Sequence, residues 1–153
     1  MQVRTEQEAL FMACEMEASA VQLYARAIAL MEQLGREREP LYTRLCRMHA
    51  DEKTHLARFR SFCKEDSLTD DQRIMLSATA EGLLFEGGLM GAARAGLLSD
   101  VDGMLRFAIR AEAASARKYR EFAALAADGQ TRVALELIAS EEDRHLLDLQ
   151  AQV

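Results

Sequence analysis

The sequence lacks several features that would assign it to particular classes of protein. Only one of its 153 residues is proline and half are hydrophobic. With Ala, Leu, Glu and Arg abundant, this composition favours an all-α fold over a β-rich one. No apolar run reaches the roughly eighteen residues of a membrane span, and no signal peptide is expected. The net charge of −6 gives no reason to expect a nucleic acid or an anionic membrane as a partner. The expected location is the cytoplasm.

Cysteine is also scarce. The three cysteines, Cys14, Cys46 and Cys63, include no C-x-x-C pair. They therefore support neither a disulfide framework nor a cysteine-ligated zinc or iron site. We expect all three to be small buried apolar residues, and a redox role for Cys14 stays open.

Capping and turn residues predict four long helices within a single domain, residues 1–153. Thr5 followed by Glu8 has the pattern of a capping box, and Gly35 that of the residue after a helix end. Pro40 suits the first turn of the next helix. The predicted helices cover about 6–34, Pro40 to Cys63 or Lys64, Ser99-Asp100 to Asp128-Gly129, and about 131–150.

The segment 65–98 connects the second and third predicted helices. Thr69 can start a short helix that runs to about Ala80. Five glycines make long regular structure less favourable in the remainder: Gly82, Gly87, Gly88, Gly91 and Gly96. We therefore predict a partly helical crossover that packs on the bundle.

The chain contains an internal repeat. Residues 17–30 align without gaps to residues 112–125, with identities at the Glu, the following Ala, the Tyr and the closing Ala-Leu. Residues 51–56 match residues 141–146, where two successive acids are followed by His and Leu. The chain thus consists of two copies of one helical hairpin, and polar residues are among those that match.

Each predicted helix carries one glutamate on its apolar, core-facing stripe. These four residues are Glu17, Glu52, Glu112 and Glu142. Burial of an ionised carboxylate is costly because its solvation is lost, and the sequence places no Lys or Arg on these stripes. Protons or cations must therefore neutralise the four carboxylates.

Two histidines lie beside these carboxylates. His55 follows Glu52 by three residues and His145 follows Glu142 by three residues, which puts each pair on one helix face. One Glu from each of two helices, with Glu-x-x-His from each of the other two, is the ligand set of bundled di-metal carboxylate proteins. We predict that the six side chains bind two metal ions, iron first, with Mn or Zn as alternatives.

Three further side chains accompany the predicted ligands. Tyr24 and Tyr119 each follow a core Glu by seven residues, and we expect each phenol to donate a hydrogen bond to a ligand carboxylate from another helix. The alternative is a core tyrosine whose hydroxyl lies at the end of the bundle. His49 precedes Glu52 by three residues, and is either an extra ligand or a partner of the ligands, or else a satisfied or partly exposed histidine.

These residues resemble the rubrerythrin group of the ferritin-like superfamily. The resemblance covers nearly the whole chain apart from the crossover, and it rests on Glu17 with Tyr24, Glu52-x-x-His55, Glu112 with Tyr119, and Glu142-x-x-His145. It implies a ferritin-like antiparallel four-helix bundle with one long crossover, a di-iron site and a homodimer. Proteins of that group reduce hydrogen peroxide or oxidise ferrous iron, and many help cells to tolerate oxygen.

The chain departs from that group at two points. Because it has no C-x-x-C ligands for a rubredoxin-like module, a peroxidase would receive electrons from a separate protein. Rubrerythrins also carry an additional Glu one turn from the ligand on the third helix. Here Ile109 and Ser115 occupy the positions three residues either side of Glu112. The expected site therefore moves toward a six-ligand ferroxidase pattern.

The first hypothesis is a di-iron oxidoreductase that reduces peroxide or oxidises ferrous iron with O₂ or H₂O₂. Glu52 and Glu142 would bridge the two ions, and Glu17 and Glu112 would be terminal ligands. The second hypothesis is metal binding without turnover, as an iron-storage component or a structural site. Other interpretations are a plain bundle with surface charges, a degenerate site, and a hydroxylase with an organic pocket.

Overall fold

The computed structural model describes residues 2–64, 66–83 and 86–153. Within these residues the chain is all-helical and has no strand, which confirms the predicted class. The helices are α1 Glu6–Gln33, α2 Pro40–Phe62, α3 Asp70–Glu81, α4 Gly88–Arg94, α5 Val101–Ala123 and α6 Gly129–Gln150. The four long predicted helices are α1, α2, α5 and α6. None of the described helices is long and apolar enough to cross a membrane.

Helix α1 begins and ends as its sequence predicts. The Glu8 N–H donates to Thr5 Oγ1 and the Thr5 N–H donates to Glu8 Oε1, each at 3.1 Å, which completes the capping box. At the other end, Gly35 takes a left-handed φ of 67°, and the Arg36 N–H donates to the Met31 carbonyl at 2.9 Å. This hydrogen bond and the left-handed glycine are the usual end of an α-helix.

The end of α5 differs from the prediction. The sequence pattern closes this helix at Asp128-Gly129, but α5 ends at Ala123, and Asp128 is instead the N-cap of α6. The Thr131 N–H donates to the Asp128 carboxylate at 3.0 Å, so this aspartate starts a helix rather than following one. The other predicted boundaries of the long helices lie within two residues of those observed.

The crossover between α2 and α5 is partly helical, as predicted, but it contains more helix than its glycines suggest. Helix α4 is not predicted from the sequence because Gly88 and Gly91 lie within it. Gly96 takes a φ of 80° just after α4, the left-handed conformation that ends a helix. Three residues of the predicted crossover lie outside the described part of the chain: Glu65, Leu84 and Phe85.

The four long helices contact one another in a ring, with α1 and α6 each packed against both α2 and α5. Their buried apolar side chains form two clusters: the first includes Leu23 and Leu45, and the second includes Leu10 and Phe59. Along the chain, α1 and α6 pass from the second cluster to the first, whereas α2 and α5 pass from the first to the second. Helix α3 packs against α1 and buries Leu76 in the second cluster.

Candidate metal centre

Between the two hydrophobic clusters, each long helix buries carboxylate or imidazole side chains. Their exposed fractions range from 0% to 6%, and they are the six predicted ligands: Glu17 on α1, Glu52 and His55 on α2, Glu112 on α5, and Glu142 and His145 on α6. The apolar residues on either side of each glutamate set this position, because they fix which face of each helix turns inward. The structure therefore brings all six predicted residues into one buried region.

The six side chains form two overlapping groups, and within each group the ligand atoms all lie within 4.8 Å of one another. One group contains Glu17, Glu52, His55 and Glu142, and the other contains Glu52, Glu112, Glu142 and His145. Glu52 and Glu142 are thus shared. Each group offers three carboxylates and one imidazole nitrogen, so these clusters could hold metal ions.

His55 is oriented by a carboxylate that lies outside the two groups. Its Nε2 hydrogen-bonds with Glu141 Oε2 at 2.5 Å, while its Nδ1 faces the cluster, 2.8 Å from Glu142 Oε1. When Nε2–H donates to Glu141, Nδ1 carries the free lone pair that a metal ion requires. The contact therefore selects the tautomer that suits metal binding.

His145 has the same arrangement with the helices exchanged. Its Nε2 lies 3.0 Å from Asp51 Oδ2, and its Nδ1 lies 3.0 Å from Glu52 Oε1. Neither Asp51 nor Glu141 is among the site residues predicted from the sequence. The internal repeat does contain the signal, because both are the acid directly before a core glutamate.

Seven buried side-chain atoms make no hydrogen bond; they include the two histidine Nδ1 atoms, which lie 2.8 and 3.0 Å from a carboxylate oxygen but without hydrogen-bond geometry. Within the described residues, every such atom belongs to the six predicted ligands: Glu17 Oε2, both Glu52 carboxylate oxygens, His55 Nδ1, Glu112 Oε2, Glu142 Oε1 and His145 Nδ1. Buried polar atoms are normally paired because leaving them unpaired costs free energy. A cation bound by these oxygen and nitrogen atoms would satisfy them, so the residues present fit a metal centre.

The cluster contains more acidic than basic groups. Four carboxylates accompany two imidazoles, and no Lys or Arg is buried in the part of the chain that the structure describes. Burial, followed by the neighbouring charges of Glu17 and Glu112 respectively, raises the pKa of Glu52 and of Glu142 well above the ordinary value. Burial opposes the protonation of His145, but the adjacent carboxylates raise its pKa to about 11. Protons therefore compete with metal ions for these side chains, and a bound cation would displace the protons.

Two buried tyrosines connect α1 with α5. Tyr24 on α1 donates to Glu112 on α5, and Tyr119 on α5 donates to Glu17 on α1 at 2.8 Å. Both expected hydrogen bonds are therefore present. Burial raises the pKa of Tyr24 and of Tyr119 well above the ordinary value, so both phenols remain protonated donors.

His49 lies outside both groups of potential ligands and is only partly buried. Burial and the positive charge of Lys53 lower the pKa of His49, so this imidazole is neutral at physiological pH. A role for His49 as a ligand or as a partner of the ligands stays a prediction.

A mostly apolar pocket reaches the cluster from the side of α1, α5 and the crossover. Its cavity volume is about 50 Å³, and it is partly open to solvent. Tyr24, Glu112 and Glu142 are among its lining residues, together with the apolar side chains of Met16, Leu23, Leu83, Leu89 and Phe107. Small molecules could approach the carboxylates by this route. The sequence alone does not predict the pocket, because it forms between elements that are distant along the chain.

Comparisons with known proteins add no relative. No protein-family model matches the chain, and no curated protein or solved structure matches it. The functional interpretation therefore depends on the chemistry of the cluster itself.

Proposed function

We propose that the chain is a di-iron carboxylate oxidoreductase, similar to rubrerythrins, that reduces peroxide or oxidises ferrous iron with O₂ or H₂O₂. The observation that carries the proposal is the pair of overlapping buried groups, in which seven carboxylate and imidazole atoms lack a hydrogen-bond partner. Iron suits this donor set, which mixes carboxylate and imidazole, and Mn or Zn are alternatives.

The overlap of the two groups supports a role for each ligand. Glu52 and Glu142 belong to both groups and are the proposed bridging residues, while Glu17 and Glu112 belong to one group each and are the proposed terminal residues. When bound, two ferrous ions would supply the electrons for the reduction of O₂ or peroxide. The chain's own part is to orient the ligands, to neutralise charge and to restrict access to the buried cluster.

The course of the chain supports a ferritin-like bundle. Helices α1 and α6 pass between the two hydrophobic clusters in one direction and α2 and α5 in the other, so the pairs α1–α2 and α5–α6 run antiparallel, whereas α2 and α5 run in the same direction. The crossover must then run from the second cluster back to the first before α5 begins. One long connection of this kind is a feature of ferritin-like bundles.

A homodimer is part of the same proposal. Val133, Leu137 and Leu147 are exposed on α6, and at 100° per residue they lie within about 80° of one another on one helix face. Exposed apolar side chains that share a face are a feature of interaction surfaces. Sedimentation equilibrium of the purified chain tests this part, and a monomer at micromolar concentration would contradict it.

Anaerobic loading with ferrous iron, followed by O₂ or H₂O₂ in separate reactions, tests the proposed activity. Fast peroxide consumption with little O₂ uptake indicates a peroxidase, which requires a separate electron-donor protein for turnover. Fast O₂ uptake with a ferric product indicates a ferroxidase. Tight binding without a change of oxidation state would contradict both and indicate a storage or structural role.

The apolar pocket favours a second candidate function, the oxidation of a small organic molecule at the same cluster. Ala20 lines the pocket, whereas Ala113 is exposed on α5 and lies outside it. If the pocket binds apolar compounds, Ala20→Phe will weaken the binding of an apolar fluorescent probe and Ala113→Phe will not. Equal binding by both variants and the parent would argue against an organic substrate in this pocket.

A further inference from the structure

Two cysteines from different helices lie close together near the surface. Cys14 Sγ on α1 is 3.8 Å from the Sγ of Cys63, the residue that follows α2. The prediction that all three cysteines are buried is wrong, because Cys14 and Cys46 are partly buried and Cys63 is exposed. Forty-nine positions separate the pair, so no motif in the sequence reveals it.

Hydrogen bonds connect the end of α2 to α1 on both sides of Cys63. Gln7 on α1 donates through Nε2 to the Phe62 carbonyl at 3.3 Å, and its Oε1 accepts from the Lys64 N–H at 2.9 Å. Gln7 and Cys14 are seven residues apart, about two helical turns, so both face the end of α2. These contacts hold the two sulfur atoms near each other.

The surroundings make Cys63 the more reactive thiol. Its hydrogen bond with Cys14 lowers the pKa of Cys63 to about 7; partial burial opposes this change and the positive charge of Arg60 assists it. The same hydrogen bond and burial raise the pKa of Cys14. Cys63 is thus an accessible thiolate near neutral pH, and the thiolate is the nucleophilic form of cysteine.

We propose that Cys14 and Cys63 form a thiol redox site that converts to a disulfide on reaction with a hydroperoxide. In the first step the Cys63 sulfur attacks one peroxide oxygen, an S–O bond forms and the O–O bond breaks. The departing hydroxide takes up a proton as water, and Cys63 becomes a sulfenic acid.

In the second step the Cys14 sulfur attacks the Cys63 sulfur. The S–S bond forms, the S–O bond breaks, and the hydroxyl leaves as water with the proton that Cys14 gives up. In total, two thiols are oxidised and one hydrogen peroxide is reduced to two waters. A dithiol reductant reverses the change by thiol–disulfide exchange.

The structure allows this closure without rearrangement of the core. The two sulfur atoms need to approach by roughly 2 Å to reach bonding distance. Cys63 lies just beyond the last residue of α2, with extended backbone, so its side chain can turn without breaking a helix. Neither cysteine belongs to the two groups of potential metal ligands, so the inference is independent of the proposed function.

The test treats the reduced full-length chain with a small molar excess of hydrogen peroxide, before and after metal removal with a chelator. Intact mass should fall by two hydrogen atoms, and proteolysis without reductant should yield a peptide that joins Cys14 to Cys63. Dithiothreitol should restore the thiols. Cys46→Ser is the matched control and should form the same disulfide, whereas Cys63→Ser should not.

A second variant traps the intermediate. Cys14→Ser lacks the resolving thiol, so Cys63 should accumulate as a sulfenic acid that reacts with dimedone. The proposal is overturned if the folded parent keeps three free thiols under these conditions, or if its disulfide contains Cys46. It is also overturned if Cys14→Ser gives no dimedone adduct at Cys63.

Discussion

The hairpin α1–α2 and the hairpin α5–α6 provide equivalent halves of the candidate metal centre, but neither half is complete alone. The contacts that orient the ligands run from one hairpin to the other: Tyr24 to Glu112, Tyr119 to Glu17, His55 to Glu141, and His145 to Asp51. The repeat therefore does more than duplicate ligands. Each hairpin supplies the hydrogen-bond partners that fix the side chains of the other, so formation of the site depends on the docking of both hairpins.

The two halves differ in what surrounds the ligands. Glu141 lies 2.5 Å from His55 and its side chain is 33% exposed, whereas Asp51 lies 3.0 Å from His145 and is 48% exposed. Arg144 lies 3.6 Å from Glu141. The pocket touches Glu112 and Glu142 of the second hairpin, but neither Glu17 nor Glu52 lines it. Because the two groups have equivalent ligands but unequal surroundings, we expect them to bind metal ions with unequal affinity.

The largest effect is expected when the two shared carboxylates are removed together. Glu52→Ala with Glu142→Ala takes a ligand from both groups at once, so binding of iron or manganese should fall to background. Metal content per chain, measured after gel filtration, checks this result. The matched control is Glu37→Ala with Glu136→Ala, which removes two exposed glutamates and should leave the metal content unchanged. Parental metal content in a folded Glu52→Ala/Glu142→Ala protein would refute the assignment.

Single substitutions at Glu17 or Glu112, which each belong to only one group, test metal binding by the two groups separately. Glu17→Gln and Glu112→Gln each weaken one group and spare the other, so each should lower the content from about two ions per chain to about one. Isothermal titration with Mn²⁺ should then resolve one remaining class of site in each variant, with different affinities in the two. Loss of both ions in either variant would show that the halves bind as a unit.

The sequence could predict those parts of the fold and of the site whose pattern lies within one helix or within the internal repeat. The helices follow from local features such as the Thr5–Glu8 capping box. The six core Glu and His residues follow from helical periodicity together with the repeat. Capping and periodicity each extend over a few turns of a helix, the repeat aligns one hairpin with the other, and a glutamate within an apolar stripe is conspicuous in such a pattern.

The features that were not predicted from the sequence depend on contacts between distant segments. Asp51 and Glu141 look like ordinary surface acids until the opposite hairpin places an imidazole beside each. Cys14 and Cys63 have no local pattern, and the apolar pocket exists only where the crossover covers α1 and α5. Helix α4 was not predicted for a different reason. Its glycines disfavour a helix locally, but the packing of Leu89 in the first hydrophobic cluster outweighs that preference.

A smaller effect is expected when the carboxylates that orient the histidines are neutralised. Glu141→Gln and Asp51→Asn should weaken metal binding by about 10- to 100-fold, with the larger loss for Glu141→Gln because its contact is shorter and less exposed. Competition with a chromophoric chelator measures both. Asp148→Asn, which loses an exposed ion pair with Arg44, is the control and should stay within about twofold of the parent. A larger loss for Asp51→Asn would contradict the inference that the Glu141 contact is the stronger of the two.

The smallest effect is expected at the two tyrosines. Tyr24→Phe and Tyr119→Phe each keep the aromatic ring but remove the donor to a buried carboxylate, so each should lower the free energy of unfolding by about 1 to 1.5 kcal/mol. Urea denaturation of the metal-free protein measures the loss. Tyr42→Phe breaks an exposed hydrogen bond with Glu32 and should change stability by less than about 0.5 kcal/mol.

The two tyrosine variants also test whether the apolar pocket adjoins only one half of the site. Tyr24 lines the apolar pocket and Tyr119 does not, while Tyr119 packs edge-on against Phe59, with ring centroids 5.1 Å apart. The Tyr119→Phe ring keeps that contact, so the stability losses should be similar in the two variants. Only Tyr24→Phe should alter the binding of an apolar probe, because Tyr24 and its acceptor Glu112 both line the pocket. Equal changes in probe binding by the two variants would contradict the conclusion that Tyr24, but not Tyr119, lines the pocket.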